Sequence, residues 1–243
     1  MDKQKESISL SRYIAYSGVC SRRKAKELVK SGVVKINGHK IELPGTQVFP
    51  ADTVLVNNKK IKQEPKVYLL LNKPKDYITT VQDQRARKTV MHLIRGASKY
   101  RLYPVGRLDR NTTGILFFTN DGPLTQTLAH PRYEVRKTYH VVLDRPVAGA
   151  DLHALRTGIK LKDGNIKVDA ARHIPGKRKA FVSVMLHSGR NRIVRRMFQY
   201  LGYEVVKLDR VQFAGLTKKG LQVGRWRFLT QKEVGMLQEH ADT

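Results

Sequence analysis

Hydrophobic positions in the first sixty residues come in short runs with helical or alternating spacing. Leu10, Tyr13 and Ile14 share one helical face, and Gly18 ends it. Ser21 is placed to cap a second helix whose Ala25, Leu28 and Val29 form the buried side. Gly32 stops that helix. Val33–Ile36 and His39–Ile41 then alternate as strands joined by Asn37-Gly38, a strong hairpin signal, and Val54–Val56 adds a further strand. The polar, proline-containing stretch 63–66 carries no periodicity and reads as a linker. The expected division is therefore a small module over 1–62 and a larger domain over 67–243.

The larger domain mixes both periods. Val67–Leu71, Ile115–Thr119, Lys137–Leu143 and Phe181–Leu186 read as strands. Short helices are expected over Thr89–Ile94, from Pro123 through Leu128, and around Leu152 and Leu155 up to Gly158. Asn191–Leu201 is predicted as an amphipathic helix, with Arg192, Arg195 and Arg196 opposite Val194, Met197 and Leu201. Thr230 with Glu233 predicts a capping box for a last helix. The fold class that follows is α+β, a mixed and mostly antiparallel sheet flanked by helices.

Charge changes the picture most. The 243-residue chain carries 47 Lys and Arg against 20 Asp and Glu, a formal net charge of +27. So large an imbalance points to a polyanionic partner, with nucleic acid ahead of a membrane surface. No apolar run is long enough to span a bilayer, and the charged N-terminus lacks the apolar core of a signal peptide. The single cysteine, Cys20, rules out an intrachain disulfide framework, and these features together predict a cytoplasmic protein. In the small module Arg22, Arg23, Lys26 and Lys30 line the open face of the second helix. That stripe is either a solvated surface or a phosphate-binding one.

Several chemistries lack their residues. The eight histidines are scattered and one cysteine cannot build a zinc site. Neither a phosphate-binding loop nor a dinucleotide fingerprint is present, so neither nucleotide hydrolysis nor hydride transfer is indicated. What stands out is Val105-Gly106-Arg107-Leu108-Asp109-Arg110, a lone carboxylate between two arginines on a glycine-bounded turn, running into an apolar strand. On local sequence alone such a carboxylate reads first as a turn-closing cap and only second as an ionised nucleophile or base.

Two resemblances bear on that choice. The two short helices, the basic second helix and the Asn-Gly hairpin, with Ser17–Ala25 the most specific piece, resemble the small RNA-binding module named after ribosomal protein S-four. Further on, four pieces stand in order: Leu71-Asn72-Lys73-Pro74, Gly106-Arg107-Leu108-Asp109, Lys137-Thr138-Tyr139 and Gly189-Arg190-Asn191-Arg192-Ile193-Val194-Arg195-Arg196. Together they resemble the RsuA-type family of ribosomal RNA pseudouridine synthases, over nearly the whole chain. The resemblance implies isomerisation of a specific ribosomal uridine to pseudouridine. It implies Asp109 as catalytic aspartate, Tyr139 as the tyrosine that stacks on the base, and Arg195 as the arginine that pairs with Asp109. Leu208, in Lys207-Leu208-Asp209-Arg210, falls where a leucine lines the pocket.

The reaction needs no redox change and no external group, so neither cofactor nor metal is expected. A uridine in folded RNA must leave its stack to react. Lys73, Arg107, Arg110, Lys137, Arg192 and Arg196 are the basic residues expected to hold its backbone. Ile193 departs from the glutamine of many relatives and puts one secondary contact in question. The expected partner is ribosomal RNA, free or in pre-ribosomal particles, bound by a monomer. The compact form resembles the large-subunit branch more. A non-catalytic RNA-binding assembly factor is the alternative from another class.

Overall fold

The computed structural model describes residues 7–242, and the chain divides into two compact units. One runs to Val67 and takes in Lys99–Arg101; the other holds Tyr68–Ser98 and everything from Leu102 on.

In the first unit, the helix Leu10–Tyr16 buries Leu10 and Ile14, and Ser21 caps the helix Arg22–Lys30 by accepting from the Lys24 backbone N–H at 3.3 Å. Ala25 and Val29 face a core shared with Leu10, Ile14, Val34, Val48 and Val54. Four antiparallel strands follow, in the order His39–Ile41, Val34–Ile36, Val54–Val56, Lys59–Ile61. Asn37 and Gly38 both take positive φ (52° and 86°), which matches the right-handed twist of the hairpin they close. The sequence reading missed the last strand: Asn57-Asn58 also turns at positive φ, but without the glycine that signals a hairpin. Arg22, Arg23, Lys26 and Lys30 are all exposed.

The second unit is built on a nine-stranded mixed sheet. Its main path runs Ala170–His173, Phe181–Leu186, Lys137–Leu143, Val205–Phe213, Thr113–Thr119, Tyr68–Lys73, Trp226–Phe228. Only the contact of Val205–Phe213 with Thr113–Thr119 is parallel. Two cores result. Val141, Val182 and Val184 pack with Leu152, Leu155, Val194, Met197 and Phe198 of two helices, Gly149–Thr157 and Ile193–Tyr200. Leu70, Ile115 and Phe117 pack with Leu124 and Leu128 of Gly122–Ala129 and with Leu237 of Gln231–Asp242. The expected capping box forms: Thr230 N–H donates to Glu233 Oε2 at 2.9 Å, and Glu233 N–H to Thr230 Oγ1 at 3.3 Å. Among the described residues no helix is long and apolar enough to cross a membrane.

At the parallel contact Gly114 sits opposite Arg210, with φ at +106°. A Cβ there would lie 2.2 Å from the Arg210 carbonyl oxygen, so only glycine lets the two strands approach. That approach sets the depth of the loop 106–112, which carries Asp109.

Candidate active site

Asp109 leaves the sheet between the strands Tyr103–Val105 and Thr113–Thr119, on a loop too short to wander. Its backbone is pinned from three sides. Thr112 N–H donates to Asp109 O at 3.1 Å, closing the turn. Thr79 Oγ1 donates to Leu108 O at 2.8 Å. From beneath, Lys73 Nζ donates to the carbonyl oxygens of Pro74 (3.0 Å), Asp109 (3.1 Å), Arg110 (3.2 Å) and Thr112 (2.9 Å).

Lys73 therefore does not hold RNA backbone, as its basic character had led us to expect. Its side chain is 0% exposed and is spent on orienting the loop. Burial pushes its pKa from the ordinary 10.5 down to about 8, and the charges of Asp109 and Asp76 oppose that shift.

The Asp109 side chain is half-buried and opens into a cleft of about 440 Å³ within the second unit. Strand alternation builds the opposite wall. Lys137 and Tyr139 point to one face of their strand, and Leu208 and Arg210 to the same face of the next, with Tyr139 directly across from Arg210. The rim is Arg107, Arg110, Arg190 and Arg192. Among the lining residues Asp109 is the one carboxylate facing six cations, so the cleft favours an anionic ligand.

Each cation is held differently. Arg107 is exposed, and Arg110 pairs with Asp76 at 3.0 Å on the surface. Arg192 takes a left-handed φ of 47° as it starts the Ile193–Tyr200 helix, which aims it at the cleft. Lys137 donates to His187 O at 2.7 Å; burial lowers its pKa to about 8, and repulsion from Arg210 adds to the shift. Arg195 and Arg196 do not line the cleft. Arg195 Nη1 donates to Val205 O at 2.8 Å and makes no ion pair with Asp109 among the described residues. Asp109's charge does act on it, opposing the fall in pKa that burial and Arg192 produce. Arg196 turns away to Asp163 (2.8 Å) and to Asn191 O (2.9 Å). Leu208 is buried and lines the cleft; Ile193 also lines it while packing into the core.

Thr79, Arg190 and the full burial of Arg210 went unread in the sequence. Arg190 lies inside the Gly189–Arg196 motif and was legible there, whereas nothing local marks Thr79. Among the described residues no cluster of three or more His, Cys, Asp or Glu could hold a metal ion.

Comparison with known proteins gives the cleft a context. Residues 67–200 match the model of RNA pseudouridylate synthase, and residues 10–54 that of the S4 domain. The chain is 41% identical to the ribosomal large subunit pseudouridine synthase B of Bacillus subtilis, over 96% of each protein. It is 33% identical to the dual-specificity RNA pseudouridine synthase RluF of Escherichia coli K12, over 94% of this chain and 77% of the other. A solved pseudouridylate synthase superimposes with a TM-score of 0.67 at 29% identity, over 95% of this chain and all of that one.

Proposed function

Because the chain belongs to the RNA pseudouridylate synthase family, RsuA type, and is an isomerase with an RNA-binding S4 domain, we propose that its substrate is one specific uridine of large-subunit ribosomal RNA. The observation that carries this reading is the meeting of Asp109 and Tyr139 in one cation-rimmed cleft of nucleoside size. A non-catalytic assembly factor would have no use for a carboxylate held in place by a buried lysine.

Asp109 is the catalytic carboxylate in this proposal, acting on a uridine flipped out of its stack. Tyr139 stacks on the base. Arg195, already under the influence of the Asp109 charge, supports the ionised carboxylate at longer range. Arg107, Arg192 and Lys137 hold the flanking phosphates, and Arg110 joins them by exchanging its exposed partner Asp76. Arg196, committed to Asp163, is left out. In this proposal the protein works as a monomer in the cytoplasm, on free RNA or on a pre-ribosomal particle.

The test is to map pseudouridine in ribosomal RNA from a strain lacking the gene. One large-subunit position should lose its pseudouridine, regain it when the gene is restored, and be converted by the purified protein in a transcript. An unchanged map, with no conversion in vitro, would overturn the assignment.

The exposed stripe of the first unit has its own test. Changing Arg22, Arg23, Lys26 and Lys30 together to Gln should reduce the slope of log affinity against log salt by about 3–4, since each lost phosphate contact removes ~0.7–0.9. The turnover rate on saturating RNA should not change. An unaltered slope would remove the stripe from the RNA-binding surface.

A further inference from the structure

Arg210 is the fully buried arginine of the cleft, and the roles above do not use it. It stands in the interior of the Val205–Phe213 strand with only 2% exposure, and it lines the cleft opposite Tyr139. Its Nε donates to Ile115 O at 2.9 Å, and its guanidinium lies over the Phe213 ring, 4.8 Å from the centroid. No carboxylate pairs with it among the described residues. Its Nη2 is buried and has no hydrogen-bond partner among them either. The one polar side chain that supports its charge is Tyr139, and Lys137 repels it.

A purely structural role does not explain this arrangement. Bonding Ile115 O takes one nitrogen and the hydrogen bond with Tyr139 takes another, filling space over Phe213 takes none, and Nη2 is left over. Burying a charge with an idle donor costs several times more than burying an apolar chain of that size. Such a cost is kept where a ligand completes the donor's bonding.

We propose that Arg210 is a substrate-binding residue, its free Nη2 donating to a carbonyl oxygen of the flipped uracil and stabilising the charge that the base carries while detached. The proposal rests on the pseudouridine synthase reading and adds a residue to it. When the C1′–N1 bond breaks heterolytically, its electron pair leaves on uracil and spreads over N1, O2 and O4. An Asp109 carboxylate oxygen bonds C1′ in its place. After the base turns, C5 bonds C1′, the C1′–O bond breaks and returns the carboxylate, C5 loses its proton and N1 gains one. Arg210 supplies no proton; it is the cation that faces the anion between the two bond changes. A pre-set donor in a water-poor site acts most on the state in which charge has developed.

The test uses the full chain and the RNA identified by mapping, with the target position made as uridine, 2-thiouridine or 4-thiouridine. Sulfur accepts hydrogen bonds poorly, yet it stabilises the free base anion, so a slower reaction reports a lost protein contact. Wild-type enzyme should slow by at least about tenfold on one of the two thio substrates in single turnover. Arg210→Lys, which keeps the charge and one bond, should slow by about 100-fold or more on uridine, bind RNA within about twofold of wild type, and lose the thio discrimination. If the variant slows but keeps the wild-type thio penalty, or does not slow, Arg210 does not touch the base. Equal wild-type rates on all three substrates overturn the proposal without any variant, should Arg210→Lys fail to fold. A wild-type enzyme inactive even on uridine RNA would instead sink the earlier reading.

Discussion

Asp109→Asn is expected to bind RNA as well as wild type and to make no detectable pseudouridine, a loss on the order of 10⁴-fold or more. The substitution is nearly isosteric, and the loop does not depend on the side chain. Its shape comes from Thr112, Thr79 and Lys73 acting on backbone carbonyls and leaves no role for the carboxylate itself. What the amide loses is the negative charge, and with it the proposed bond to C1′ and the balance of the surrounding cations. Removing the one negative charge among the six positive groups of the cleft also makes the site more attractive to phosphate. RNA affinity should therefore stay the same or rise slightly. Filter binding at fixed salt, paired with single-turnover assays on the mapped substrate, separates the two effects. Full activity in the Asn variant would remove Asp109 from the chemistry, whereas weakened binding with residual activity would make it a phosphate-side structural residue.

How much of this could be read in advance differs from element to element. The strands Lys137–Leu143 and Phe181–Leu186 were legible to the residue, because one face of each packs on a core and the apolar positions alternate. Val205–Phe213 was not, although it is the longest strand of the sheet. Its sequence places Arg210 on the buried face beside Leu208, where alternation asks for an apolar residue, and the run Lys207-Leu208-Asp209-Arg210 carries three charges in four positions. The strand was hidden by the residue that makes its face polar. Asp109 was recognisable only through the motifs around it, since on its own the stretch reads as an ordinary turn. Lys73 was misread for a related reason. A lysine in a basic chain looks like a phosphate contact, and no local pattern says that three carbonyl oxygens from a distant loop will join that of Pro74 around it.

That convergence makes Lys73→Met the second large effect. An ammonium has three donors, and here four acceptors share them. Methionine fills the space and bonds none of them, leaving the carbonyls of the Asp109 loop to find water or go unpaired. Removing one partner of such a buried set costs about 3–5 kcal/mol, and the relief of no longer burying a charge returns part of that. We expect a net loss of about 2–4 kcal/mol and a melting temperature lower by about 5–12 °C. Because the loop then carries Asp109 out of register, activity at a permissive temperature should fall by about 100-fold, with RNA binding little changed.

The titration of Lys73 separates this role from mere space filling. Its folded pKa lies at about 8, below the ordinary 10.5, so between those values the unfolded chain binds the proton more strongly than the folded one. Lys73 thus adds an upward slope of stability with pH from 8 to 10.5 and none below 8. Lys137, also lowered to about 8, adds a similar slope. The Met variant should keep the Lys137 part and lose the rest, visible as a shallower rise of melting temperature over that window. Turnover should run the other way. Above pH 8 a neutral amine offers two donors to four carbonyls, the loop loosens, and wild-type activity declines. An unchanged slope in Lys73→Met, or a wild-type stability that falls from pH 8 to 10.5, would mean that Lys73 carries no strained charge and that the Asp109 loop is held by Thr79 and Thr112 alone.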